Sequence, residues 1–213
     1  MTKVKIEIWS DVVCPSCFIG MKQLEQAISS LDAKDDVEIV LRSFQLDPAF
    51  PKNKSMSSLK HLAEMKGYGM ERVQEMCARL LPVGKKVGID FKFDKALIYN
   101  TQDAHRLIKW SKNFDKAIEL EKALFFAYFC IGTDLSIQKN LLDIIEDAGL
   151  DSSKAKEIIE KKEYSEEINI DIERAKSLGL RGVPFFLINE KTGVSGCQND
   201  GEFEEILSSA LLL

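Results

Sequence analysis

Residues 4–31 read VKIEIWSDVVCPSCFIGMKQLEQAISSL, and two different periods meet inside that stretch. Val4, Ile6 and Ile8 alternate with Lys5 and Glu7, the period of two that marks a strand with one buried face. From Cys17 onward the apolar residues are Met21, Leu24, Ile28 and Leu31, spaced by four and three as on one face of a helix. Between the two patterns stands Cys14-Pro15-Ser16-Cys17. Proline is favoured at the first helical position, where its missing N–H is no loss. That spacing places Cys14 at the N-cap, facing the unpaired backbone N–H groups of Ser16 and Cys17.

The placement matters because attack on a disulfide requires thiolate, and an ordinary cysteine is mostly thiol at neutral pH. Half a unit charge of helix dipole about 4 Å away, at an effective dielectric near 20, favours the thiolate by roughly 2 kcal/mol. Hydrogen bonds from the cap N–H groups push the same way. Cys14 is therefore expected to be appreciably ionised and nucleophilic. Cys17, one turn deeper on the apolar face, is expected to be shielded and less acidic. Positions three apart on a helix hold their Cβ atoms about 5–6 Å apart, a small adjustment from disulfide geometry. In this reading Cys14 attacks and Cys17 resolves the mixed disulfide. Three blander readings compete: half a zinc site, chance core cysteines, or a vestigial centre on a binding module. A zinc site needs a second ligand pair, and Cys77, Cys130, Cys197 and the two histidines are not paired at ligand spacing. The expectation is no metal.

Working outward, Val37, Ile39 and Leu41 form a second strand running towards Phe44, and Asp47-Pro48 ends it. From there to about residue 162 the chain shows only helical segments. Ser57 or Ser58 precedes the first, Met70–Leu81 forms another that Pro82 breaks or kinks, and Asn100 or Thr101 caps a third through Ile108. Asp115, Ser136 and Asp151 open the next three. A helix from about Tyr164 ends at Leu178-Gly179. Val183–Ile188 reads as a buried strand, 189–193 as a hairpin turn, Val194-Ser195 as the returning strand and Glu202–Leu212 as a closing helix. Compact domains join elements with about 4–6 residues, so a connection of roughly 115 must be a folded module. The expected class is α/β: a thioredoxin-like fold over 1–48 plus 163–213, interrupted by a large all-helical domain over 49–162. In thioredoxin-like folds a cis-proline stands opposite the CxxC and exposes the preceding backbone to substrate. Gly182-Val183-Pro184 occupies that place in the element order, so Val183–Pro184 is expected to be cis.

Composition narrows the function classes. With 29 basic and 34 acidic residues and a net charge of −5, the chain has no general attraction for phosphate backbones or anionic membranes, so neither nucleic acid nor membrane is expected as a partner. No apolar run reaches the roughly 18 residues of a span, and the N-terminus has no signal-like apolar region. Five cysteines, three of them far apart, fit a reducing compartment better than a disulfide scaffold, which gives the cytoplasm as the expected location.

Six stretches in register then carry a family resemblance over nearly the whole length. They are Ser10 to Gly20, Phe44 to Pro48, Asn100-Thr101 with Ala104 to Leu107, Leu124-Phe125 with Ala127 to Phe129, Gly182 to Phe186, and Val194 to Gln198. The chain resembles the DsbA-like superfamily, specifically its cytoplasmic FrnE-like branch. The resemblance implies redox cysteines at Cys14 and Cys17, a cis-proline at Pro184, and substrate contacts from Val183, Pro184, Pro15 and Ser16, with His105 drawn in only by its motif. The expected substrates are thiols or disulfides, protein or small; no bound cofactor is expected because the electrons reside on sulfur, glutathione or a cellular reductase would recycle the site, and a homodimer is allowed. The dipeptide is Pro-Ser where the branch often has Pro-Trp, and Cys197 stands where it commonly has alanine. Cys197 reads first as a small buried residue, secondly as a third thiol near the site. Cys77, Cys130 and the aromatic run Phe125 to Phe129 read as core. Kappa-class transferases and hydroxychromene-carboxylate isomerases share this fold and insertion, and a glutathione-dependent isomerase or transferase is the alternative. Those proteins typically carry serine in place of the first cysteine.

Overall fold

A computed structural model describes residues 3–212, and its organisation starts from one strand. β1 (Val4–Ser10) lies inside a four-stranded sheet of order β2-β1-β5-β6. β2 (Val37–Ser43) runs parallel to it, Val4 opposite Val37 and Ser10 opposite Ser43. A parallel pair needs a crossover, and α1 (Pro15–Ser30) supplies it. β5 (Phe185–Ile188) is antiparallel to β1, and β6 (Thr192–Ser195) is antiparallel to β5. That last pair needs only a tight turn, which Asn189 and Glu190 make at φ of 49° and 58°.

Alternation along β1 sorts its side chains onto two faces. Val4, Ile6 and Ile8 join Leu24, Ala27 and Ile28 of α1, Phe186 of β5, and Phe203 and Leu207 of α9 (Glu202–Leu211) in one apolar cluster. Trp9 on the other face meets Leu187 and Ala175, the latter on α8 (Ser165–Ser177). Glu7, on the same face as Trp9, is 1% exposed. Arg42 donates to it through Nε at 2.8 Å and through Nη2, and Arg174 donates from Nη2 at 2.7 Å. Burial alone would raise the Glu7 carboxyl; the hydrogen bonds and charges of Arg174 and Arg42 outweigh it, and the net shift is downward. Asp171 closes the network, accepting from Arg42 Nη1 at 3.0 Å and from the Ser43 N–H at 2.8 Å.

The chain divides into two compact units, Met1–Leu46 with Ile170–Leu213, and Asp47–Asn169. The sequence reading set these borders after 48 and 162. The second division falls inside α8, a continuous helix with no punctuation at that point. The inserted unit holds α2 (Ser58–Lys60), α3 (Met70–Lys86), α4 (Gln102–Ser111), α5 (Ala117–Phe126), α6 (Gln138–Asp147) and α7 (Ser152–Lys161). It also contains two strands that the sequence reading missed. β3 (Ser55–Ser57) and β4 (Leu97–Tyr99) pair antiparallel over three residues each, too short to show a period. Pro82 does not end its helix. α3 runs through to Lys86, and Ala78, whose carbonyl loses its partner, lies on the exposed side where water can replace it.

Capping departs from expectation in two places, at Asp115 and Ser136. Asp151 does cap α7, accepting from the Ser153 and Lys154 N–H groups. Asp115 instead takes φ of 57° at the end of a single 3₁₀ turn, and Lys116 precedes α5. Ser136 is held by Asp134 Oδ1 at 2.7 Å, which leaves Ile137 at the start of α6. Asn100 Oδ1 accepts from the Gln102 N–H at 3.1 Å, so it rather than Thr101 serves α4. Cys77 and Cys130 are half-buried, not core. In the aromatic run Phe125, Tyr128 and Phe129 are buried, while Phe126 is 53% exposed.

Candidate active site

The strand-to-helix turn at the end of β1 builds the site. The Cys14 N–H donates to the Asp11 carbonyl at 2.9 Å, and Asp11 Oδ2 accepts from the Leu46 N–H at 2.8 Å, which ties the turn down. Cys14 is the N-cap of α1, with φ −98° and ψ 111°, and Pro15 opens the helix. Its carbonyl accepts from the Cys17 and Phe18 N–H groups at 3.1 and 3.3 Å.

The thiol itself behaves differently from the sequence expectation. It makes no cap hydrogen bond to the backbone N–H groups. Instead Cys14 Sγ donates to the Val183 carbonyl at 3.4 Å. The Val183–Pro184 peptide bond is cis, and Pro184 is buried. Its carbonyl accepts from the Gly196 N–H at 2.8 Å, so the segment before Cys197 is fastened to it.

Cys17 lies one turn further along, 2% exposed against 6% for Cys14. Burial pushes its thiol well above the ordinary cysteine range, and the neighbouring Cys14 side chain adds to that. The Asp11 backbone and the Ser10 hydroxyl pull the other way. A proton therefore sits firmly on Cys17.

Two residues that sequence reading did not single out set how closely these pieces approach. A Cβ on Gly20 would come within 2.9 Å of Phe186 Cζ and 3.4 Å of Pro184 Cγ, so only glycine lets α1 sit this near the proline. Gln23, further along α1, donates from Nε2 to the Gln198 carbonyl at 2.7 Å and accepts from the Gln198 N–H at 2.9 Å. Both lie in or beside quoted motifs, but what each touches is more than 160 positions away in the chain.

Of the expected site residues, the structure brings Cys14, Pro15, Ser16, Cys17, Val183 and Pro184 together within one unit, with Pro15, Ser16 and Val183 half-exposed. Cys197 is half-buried beside Gly196. His105 belongs to the inserted unit, 2% exposed on α4. Among the described residues no group of three or more His, Cys, Asp or Glu is placed to hold a metal ion, and no helix is long and apolar enough to cross a membrane.

A family model described as a DSBA-like thioredoxin domain matches residues 5–208. Among known proteins the chain is similar to the uncharacterized protein YwbO of Bacillus subtilis (strain 168), 25% identical over 207 residues covering 96% of each. It is also similar to the crystal structure of a probable DsbA oxidoreductase from Streptomyces coelicolor. There the identity is 30%, the TM-score 0.91, and the coverage 97% of this chain and 89% of that one. A 2-hydroxychromene-2-carboxylate isomerase shares the fold at a TM-score of 0.72 and 16% identity, over 97% of this chain and 94% of its own.

Proposed function

The chain belongs to the family of DSBA-like thioredoxin domains, and from that premise we propose that it is a thiol–disulfide oxidoreductase working through Cys14 and Cys17. The observation that carries this reading is Cys14 Sγ at the start of α1, 3.4 Å from the carbonyl that precedes cis-Pro184. In the proposed cycle the Cys14 thiolate attacks one sulfur of a substrate disulfide. The substrate S–S bond breaks, a bond forms to Cys14, and the other substrate sulfur leaves with the electron pair. Cys17 then loses its proton to the solvent or the departing thiolate and attacks Cys14 Sγ. The second substrate sulfur is released, and the protein keeps a Cys14–Cys17 disulfide. Two electrons have passed to the substrate. Run backwards with two reducing thiols, the same steps recharge the protein, with glutathione or a cellular reductase as the source of those thiols in this reading.

Val183 and Pro184 offer the substrate a backbone edge, and Pro15 and Ser16 the adjoining surface. The six matched stretches support the FrnE-like branch, from whose usual Pro-Trp the Pro-Ser dipeptide departs, and the scattered cysteines support a reducing, cytoplasmic compartment. Cys14→Ser should abolish turnover of insulin disulfides, and Cys17→Ser should accumulate mixed disulfides visible by mass spectrometry. Unchanged turnover in the Cys14 variant rules the mechanism out. Stoichiometric glutathione binding without thiol cycling would instead favour an isomerase, the chemistry named for the structural relative above.

A further inference from the structure

Cys17 has to carry negative charge twice in that cycle. It leaves as a thiolate when the disulfide is opened, and it must become one before it resolves a mixed disulfide. Its burial opposes both. Something beside it has to offset that penalty, and β1 supplies a group in the right place. Alternation sends Ile6 and Ile8 towards α1, and Ser10 is the next residue on that face, at the end of the strand from which the turn to Cys14 departs.

Ser10 is 2% exposed. Its carbonyl is already used, accepting from the Phe44 N–H at 3.1 Å. Its hydroxyl oxygen has no hydrogen-bond partner among the described residues, and a buried hydroxyl left unmatched is costly. Alanine would avoid that cost. The side chain that the hydroxyl does act on is Cys17, in the direction that favours the charged sulfur, alongside the Asp11 backbone.

We propose that Ser10 donates a hydrogen bond to the Cys17 sulfur whenever that sulfur is anionic, and so speeds both opening and resolution. The inference rests on the redox reading above. In the opening step a reducing thiolate attacks Cys14 Sγ and bonds to it. The Cys14–Cys17 bond breaks with both electrons going to Cys17 Sγ, and the Ser10 O–H points its proton at the new charge. In resolution the same hydrogen bond lowers the cost of forming the attacking thiolate.

The test uses the full chain with Ser10→Ala and Ser10→Thr, each checked for folding by thermal melting. In a Cys14→Ser background, iodoacetamide alkylation of Cys17 is followed against pH. Ser10→Ala should move that profile to higher pH and slow alkylation about tenfold at a fixed pH, the lower end of what a hydrogen bond to a charged group supplies. Ser10→Thr, which keeps the hydroxyl, should restore the profile. With both cysteines present, glutathione should open the oxidised Ser10→Ala protein about tenfold more slowly than the parent. An alkylation profile in Ser10→Ala that superimposes on its parent overturns the proposal, as does a folded Ser10→Thr variant shifted as far as the alanine one. These outcomes are separate from failure of the redox reading itself. That failure would appear in the parent protein, as an inability to form or reopen the Cys14–Cys17 disulfide at all.

Discussion

On one face of β1, Ile6 and Ile8 pack with Leu24, Ile28 and Phe186. On the other, Glu7 is wrapped by Arg42 and Arg174, and Asp171 ties Arg42 to the backbone of β2. The apolar face gains by excluding water and has no directional preference of its own. The ionic face gains little net energy once desolvation is counted, but each hydrogen bond accepts only one arrangement of β1, β2 and α8. The difference teaches how this fold divides its labour. The apolar side supplies the stability and ends in the dry turn where Cys17 sits, while the charged side selects the register.

The largest expected effect tests the apolar side. Phe186 is fully buried and touches Phe203 edge-to-face with centroids 4.9 Å apart. Phe186→Ala should lose about 3–5 kcal/mol in urea unfolding. A loss under about 1 kcal/mol would mean that this face is not where the stability resides.

Next comes Glu7→Gln, which leaves Arg42 and Arg174 facing a neutral group. Breaking a fully buried pair costs about 3–5 kcal/mol, and the partly exposed arginines reduce this to about 2–3 kcal/mol at neutral pH. Because the folded-state Glu7 is depressed, its contribution is fully present above the ordinary glutamate value of about 4.3. It is lost as pH falls through the lower folded-state value. The wild-type acid limb should therefore be steeper than that of Glu7→Gln, and parallel limbs would break the comparison.

The smallest effect sharpens it. Gly20→Ala adds one methyl against Phe186 and Pro184 and should lower stability by about 1–2 kcal/mol in thermal melts. Disulfide turnover should fall with it, because the side chains that must yield flank the site. Unchanged turnover would show that the spacing between α1 and the proline is not critical.

These residues also mark what the chain reveals when read as text. Ile6, Ile8, Leu24 and Ile28 announce β1 and α1 because burial on one face imposes a period. Cys14-Pro15 announces the turn because proline at a helix start has a local cause. Asp151 is legible as a cap for the same reason. Ser136 was not, because Asp134 competes for its hydroxyl, and β3 and β4 are too short to develop a pattern. The extent of α3 past Pro82 depends on whether solvent reaches the orphaned carbonyl, which no local rule decides. Glu7 looked like an ordinary outward strand residue, because its arginines come from β2 and α8. Ser10 and Gly20 lay inside the recognised motif, yet their meaning comes from Cys17, Phe186 and Pro184. Such meaning appears only once the chain has folded back on itself.

The link between Gln23 and Gln198 has a chemical consequence of its own. A side-chain amide presents a donor and an acceptor at once, and here both are used on one residue's backbone. Exchange of that amide for an acid, as in Gln23→Glu, would replace the NH₂ group by an oxygen aimed at a carbonyl 2.7 Å away. Attraction would turn to repulsion without any change in shape. The loop carrying Cys197 is thus anchored by a contact that the exchange of a single group would undo.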